Sequence, residues 1–369
     1  MKYIQEFRQD HLVQEAVRKI AKAVDRNRYY QFMEYCGGHT YAIYHYGILD
    51  LLPKNIGLVH GPGCPVCVLP IARLDKAIFL AQLPDVIFCS YGDMLRVPGS
   101  FGINLLKVKA CGADVRMIYS VDDAINIAEA NSNKNIIFFA IGFETTTPST
   151  AVAIKKVFQK NLKNFYVYCN HLLTPQALNC LLQMGGVHLD GFIGPGHVST
   201  VIGSRAYETV SRIYKKPVVI SGFEPLDIMQ SILMLVCQVN INRFEVENQY
   251  TRVVTNEGNL KSQSMMNEVF KVSEAFEWRG LGFIPKSSLQ LKDCYQQFDA
   301  EKKFEIPEFV SQENSGCECA DILRGLKKPR DCKLFGTVCT PENPMGACMV
   351  SSEGACAAAI VRARKMDDR

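Results

Sequence analysis

The chemistry in this sequence lies in its cysteines, fifteen of them in 369 residues. Six fall close together: Cys317, Cys319, Cys332, Cys339, Cys348 and Cys356, in GCECADILRGLKKPRDCKLFGTVCTPENPMGACMVSSEGAC. Four thiolates are what an iron–sulfur cube takes, one per iron. The interleaved Gly336, Pro341, Pro344, Gly346 and Gly354 would let backbone wrap such a site. Large apolar residues are few there, so something other than a core must order the segment. Structural zinc also takes four thiolates, but zinc ribbons usually pair their ligands as C-x2-C, a spacing this segment lacks. Two cysteines exceed a four-ligand set and suit a redox dithiol. Spacing alone does not say which four are ligands.

Cys64 and Cys67 form C-x-x-C around Pro65, in the loop GPGCPVC at the expected N-terminus of a helix. Helix dipole and free N–H groups there favour a thiolate, as a redox pair or soft metal site needs. Half a zinc knuckle is the plainer reading. Cys36 stands in YCGGHT with His39 three residues on; together they offer iron one soft and one borderline donor. Alone that motif is weak, since a Cys–His pair is more often structural. Other loops carry Asp93 and Arg96 (YGDMLR), Glu144 with Thr145, Thr146 and Thr147 (GFETTTP), His197 (GPGHVS) and Glu224 (GFEPLD). Asp93 and Arg96 could hold an anion or pair with each other, and Thr147 is expected to cap a helix. His197 and Glu224 could equally face a cleft or serve structure. Neither a G-x-x-x-x-G-K-[ST] nor a G-x-G-x-x-G sequence occurs.

The pattern around these residues indicates what positions them. Leu12, Val13, Ala16, Val17, Ile20, Ala21 and Val24 recur at helical spacing, predicting a helix over 10–25. From residue 57 onward, short apolar strands (56–59, 86–90, 115–120, 136–141, 165–169, 191–193, 218–221) alternate with glycine-rich loops and helices. One helix is expected over VLPIARLDKAIFLAQ, and Pro148 and Pro225 sit at helix starts. This is an α/β pattern with buried parallel sheets. The expected organisation is a helical segment over 1–30, two similar α/β domains over 31–133 and 134–240, and an irregular C-terminal domain over 241–369. Loops after the carboxyl ends of parallel strands form the binding crevice in such folds. The unusual residues should therefore gather along one edge of each sheet and face an interdomain cleft.

Composition sets bounds. A net charge of +4 on 41 basic and 37 acidic residues gives no reason to expect nucleic acid or an anionic membrane as partner. No apolar run approaches the roughly eighteen residues of a membrane span. The N-terminus MKYIQEFRQDHLVQE reads as a helix start and not as a signal peptide. The expectation is a cytoplasmic protein, whose cysteines serve metal ligation, redox chemistry or burial and not a disulfide framework. Cys89, Cys111, Cys169, Cys180 and Cys237 are expected to be buried and inert; Cys294 has no assigned role.

FMEYCGGHT, GPGCPVC, GFETTTP, GPGHVS, GFEPLDI and CKLFGTVCTPENPMGACMVSSEGAC, in that order, resemble the HypD family from about residue 30 to the C-terminus. The resemblance implies two α/β domains and a third carrying a [4Fe–4S] cluster. It also implies assembly of the Fe(CN)2CO group of [NiFe]-hydrogenases with a HypC-type chaperone. A HypE-type protein would donate cyanide, HypF would act upstream, and the hydrogenase large subunit would be an indirect partner. Carried over, Cys317, Cys332, Cys339 and Cys356 become the cluster ligands, and Cys319 and Cys348 the spare redox pair. Cys36, with His39 nearby, would hold the iron under assembly, and Cys64 and Cys67 would be a thiol relay. On this reading the cluster reduces Cys64–Cys67 through Cys319 and Cys348, in a redox scaffold rather than a simple turnover enzyme. Two other readings fit the cysteines: a cluster-dependent disulfide reductase of the ferredoxin–thioredoxin reductase kind, and a zinc-stabilised scaffold without redox chemistry.

Overall fold

The computed structural model describes residues 4–367, with side chains through Arg364. Nine strands build two parallel sheets: β1 Tyr30–Glu34, β2 Ile56–His60, β3 Val86–Ser90, β4 Asp114–Met117, β5 Asn135–Gly142, β6 Phe165–His171, β7 Gly191–Pro195, β8 Val218–Ser221 and β9 Val246–Asn248. One sheet has the order β2-β1-β7-β8-β9, the other β4-β3-β5-β6. The fold class is α/β, as the alternation of apolar strands and helices implies. Strands such as IIFFAI are apolar throughout because helices or loops cover both faces of the sheet; every residue of β5 after Asn135 is buried.

The sheets do not divide the chain where the sequence suggested. A boundary near 130–136 would place β1 to β4 together and β5 to β8 together. Instead the first sheet takes β1 and β2 from the start of the chain and β7 to β9 from far beyond, while residues 86–171 form the second sheet as an insertion. Fully buried parallel strands have interchangeable apolar patterns, so the pattern names the strands without naming their neighbours. Strand β1 itself was not recognised. Its five residues lie between a helix and CGGHT, yet it is central, with Phe32 opposite Leu58 on one side and Gly191 on the other.

The N-terminal helix Asp10–Ala23 buries Val13, Ala16 and Ile20 in a core shared with Ile228, Ile232 and Leu235 of helix Pro225–Asn240. Each such aliphatic side chain contributes about 1.5–3 kcal/mol by leaving water. The helix expected over 68–82 is broken into Pro65–Val68 and Ile71–Ala81, because Pro70 cannot donate within a continuous helix.

Residues 241–369 are not one unit either. β9 completes the first sheet. Helix Leu260–Val269 and the antiparallel pair β10 Phe270–Val272 and β13 Leu289–Leu291 bury Met266, Val269, Leu289 and Leu291 with β5 and β6. Between them β11 Ala275–Trp278 and β12 Gly282–Pro285 form a hairpin. The cysteine-rich stretch has one short helix, Cys319–Leu323, and is otherwise largely irregular until helix Ala355–Asp367, which packs on helix Gly37–His45. Among the described residues, no helix is long and apolar enough to cross a membrane.

Candidate thiol and metal site

The carboxyl ends of the two sheets face each other across a cavity of about 620 Å3. Cys36, Gly63 and His197 line it from the first sheet, Asp93 and Thr145 from the second, and Glu353 from the cysteine-rich segment. The cleft placed by the strand–loop pattern is therefore present.

Cys36 follows β1 and is the N-cap of helix Gly37–His45. Its amide donates to Glu34 Oε2 at 3.0 Å. Glu34 is fully buried and also accepts from Thr40 Oγ1. Its Oε1 lies 2.7 Å from His60 Nδ1, and His60 Nε2 lies 3.0 Å from the Tyr44 hydroxyl. The Cys36 thiol is pushed up to about 12 by burial, with Glu353 and Glu34 adding to the rise against N–H groups of Gly38 and His39 that lower it. It is thus a neutral thiol at pH 7, and a metal ion binding there must displace its proton. His197 Nδ1 lies 3.9 Å from Cys36 Sγ. Burial, then nearby His39, takes His197 down to about 4, leaving a neutral imidazole with a lone pair to offer. Burial raises Glu353, and Asp93 and Glu34 raise it further. The cleft thus presents a thiol, a neutral imidazole and carboxylates, a donor set suited to an iron cation.

The CPVC loop adjoins Cys36. Gly37 N donates to Gly63 O at 3.0 Å, and a Cβ on Gly63 would come within 2.5 Å of Cys36 N. Only glycine allows that approach. Cys64 caps helix Pro65–Val68 by accepting from Cys67 N at 3.2 Å, and Cys64 and Cys67 form a disulfide. On the far side, Cys67 Sγ lies 4.0 Å from Ala347 O. The next residue, Cys348, is in a second disulfide with Cys319.

Beyond that pair, the unpaired Cys317, Cys332, Cys339 and Cys356 line one small cavity together with Cys319, Cys348, Leu334, Phe335 and Met349. Burial raises Cys356 well above the ordinary thiol value, and Cys339, Cys317 and Cys332 raise it further. Four thiols that repel one another's charge in an apolar pocket suit a cationic iron–sulfur core, which accepts them as thiolates. The backbone closes tightly around these thiols. A Cβ on Gly346 would lie 2.4 Å from Cys317 Sγ, and the Met345 amide is 3.3 Å from Cys339 Sγ. Among the described residues, no three His, Cys, Asp or Glu side chains are grouped as a single ion would require.

Several residues singled out from the sequence lie elsewhere. Arg96 does not pair with Asp93; it donates to the carbonyls of Val350 at 2.7 Å and Pro341 at 3.3 Å, tying the cysteine-rich segment to the second sheet. Glu144 turns into the core and accepts from Thr174 N at 2.9 Å. Burial raises it to about 7. Glu224 caps helix Pro225–Asn240 and binds Arg8 away from the cleft. Thr147 is not a side-chain cap; its hydroxyl donates to Phe143 O at 2.9 Å. His39 is fully buried, with Nε2 at 3.1 and 3.0 Å from the Ser221 and Gly222 carbonyls and Nδ1 without a partner. Phe223, unnoticed beside Glu224, stacks between His39 and His197 with centroids at 4.7 and 3.8 Å. Glu34, His60 and Glu353 were also missed; a lone carboxylate or histidine at a strand end or in a turn carries no spacing signal. Cys89 and Cys169 are buried as expected, whereas Cys111 and Cys237 are exposed and Cys180 partly so.

Paired strand-end loops, two disulfides and a four-thiol pocket in one chain define a thiol-rich α/β protein. The model of the family described as "HypD: Hydrogenase formation hypA family" matches residues 11–362, and the chain belongs to that family. It is 57% identical over 364 residues to hydrogenase maturation factor HypD2 of Bradyrhizobium diazoefficiens, covering 97% of this chain and 96% of that one. It is 56% identical to HypD of Azotobacter vinelandii, covering 97% and 96%, and 43% identical to HypD of Escherichia coli K12, covering 97% of each.

Proposed function

We propose that this chain is a hydrogenase maturation factor acting as a cytoplasmic thiol-redox scaffold on which the Fe(CN)2CO group is assembled, with a HypC-type chaperone and a HypE-type cyanide donor. The observation that carries the reading is the unbroken succession of sulfur sites from Cys36 past Gly63 to Cys64–Cys67, past Ala347 to Cys348–Cys319, and on to the four-thiol pocket. Cys317, Cys332, Cys339 and Cys356 would hold a [4Fe–4S] cluster, which when bound exchanges single electrons.

The chain's own residues supply the rest. The Cys36 thiol, on losing its proton, ligates the cargo iron, and a HypC-type cysteine supplies a second soft ligand. Asp93 and Glu353 draw the cation into the cleft, and the neutral imidazole of His197, beside Cys36, is a further donor to it. The Cys64–Cys67 disulfide, on taking up two electrons and two protons, becomes a dithiol in the loop that adjoins Cys36 through Gly63. Burial of Cys36, Cys64 and Cys67 limits the access of water to these sulfurs.

Iron and acid-labile sulfide on anaerobically purified protein, with Mössbauer spectra, test the reading. About four of each per chain with cubane parameters is the expected result. Stoichiometric zinc, or fully folded protein without metal, would sink it.

A further inference from the structure

Behind the cysteine-rich segment lies a second cavity, of about 580 Å3, whose wall includes Arg279, Lys107, Asn314, Cys317 and Cys319. The scheme above gives it no task. Arg279 sets its character. Only 6% of this residue is exposed, and its amide is held by Val68 O at 2.7 Å. The adjoining Gly280 packs on the turn after Cys319, where a Cβ would lie 2.9 Å from Ala320 Cα. The backbone of Arg279 is therefore held against the helical turn that begins at Cys319. The guanidinium Nη2 has no hydrogen-bond partner, and its Nε lies 3.1 Å from Glu313 Oε1 without hydrogen-bond geometry.

A buried guanidinium with unmatched N–H groups is costly, and its planar fork fits a carboxylate. Two acids also line the cavity. Glu313 is at the rim and about half exposed, free to swing away, and Glu342 is engaged by Arg364 at 2.9 and 3.0 Å. Sulfur is the second observation. Cys319 lines this cavity and its partner Cys348 does not, so a ligand there approaches one particular sulfur of the disulfide.

We propose that this cavity binds a small thiol carrying a carboxylate, anchored on Arg279, which reduces the Cys319–Cys348 disulfide. The inference rests on the reading of that pair as redox-active. The ligand's thiolate attacks Cys319 Sγ, the Cys319–Cys348 bond breaks, and Cys348 leaves as a thiolate that takes a proton from water. A second ligand thiolate attacks the ligand sulfur of the mixed disulfide and releases Cys319, which is protonated in turn. Two ligand thiols become one disulfide, and two electrons and two protons pass to the protein.

The test uses anaerobically purified full-length protein treated with 3-mercaptopropionate or with 2-mercaptoethanol, rates being compared per thiolate. Differential alkylation with mass spectrometry reads Cys319 and Cys348 separately from Cys64 and Cys67. Reduction of Cys319–Cys348 by the carboxylate thiol should saturate, run about tenfold faster than by the neutral one, and be inhibited by propionate. Arg279→Gln should bring the two rates within about twofold of each other. Equal rates in the wild-type protein, without saturation or inhibition by propionate, overturn the proposal, and that comparison needs no variant. If a phosphine also fails to reduce the pair, the redox reading falls with it.

Discussion

Cys36 stands at the end of a strand paired on both sides, its amide held by a buried carboxylate. Cys339 stands in a run, from Arg324 to Gly354, whose only regular pieces are single turns at Pro329–Asp331 and Ala347–Met349 and one isolated bridge, Phe335 to Cys339. The first thiol is positioned by a sheet that would exist without it. The second lies where the backbone has little reason to be ordered unless its thiols are joined to something. On the proposed function metal would be cargo in the cleft and a structural tie in the cysteine-rich segment, so the same substitution should do different things in the two places.

The largest expected effect breaks that segment. Cys339→Ser should drop iron and acid-labile sulfide from about four per chain to near zero and open residues 316–354 to limited proteolysis. In contrast, Cys36→Ala should abolish cyanide-bearing iron in the complex with a HypC-type chaperone, read by infrared spectroscopy. It should leave cluster content unchanged and move stability by only about 1 kcal/mol. If Cys36→Ala unfolded the chain, or Cys339→Ser left the segment protected, the contrast would be lost.

A smaller effect lies in the framework of the cleft. Glu144 has its folded value raised from 4.5 to about 7 by burial. The folded state then holds the proton more tightly than the unfolded chain. The stability this gives is full below pH 4.5 and lost as pH rises through about 7. Unfolding by urea from pH 4.5 to 8 should show the wild type losing on the order of 3 kcal/mol relative to Glu144→Gln; parallel curves would refute the assignment. The smallest effect joins the two regions. Arg96→Ala removes the bonds to Val350 and Pro341, and should lower stability by about 1.5–3 kcal/mol. Amide exchange should quicken in residues 341–350 and not in β1 or β2.

How far the sequence could be read follows from the same contrast. Cysteine is chemically distinctive, so the four-thiol set, the spare pair and CPVC could be picked out before any coordinates, although only the resemblance separated ligands from spares. Cys36, Asp93, Thr145 and His197 could be placed in a cleft because they follow strands in parallel sheets. Glu144 and Glu224 follow the same rule and still turn away, since a loop residue's direction depends on partners such as the Thr174 amide and Arg8 that are distant in sequence. The neighbours of each strand were not readable, because short buried strands such as β2, β7 and β8 are largely apolar and pairing leaves no mark on a buried strand. Phe223 and Glu353 escaped notice because neither residue type nor spacing separates them from ordinary core and loop positions.

The insertion of one sheet within the other also fixes when the protein can begin to work. β1 and β2 leave the ribosome early, but the next partner of β1 begins at Gly191. At ordinary rates of translation it follows roughly ten to thirty seconds later. Until then Cys36, Cys64 and Cys67 ride on a two-stranded fragment that cannot hold its shape in water. Cys356, far beyond Gly191 in the sequence, emerges later still. A sulfur path running from Cys36 to Cys356 cannot close before both sheets are complete, so on the proposed function its metals would be supplied only after that point.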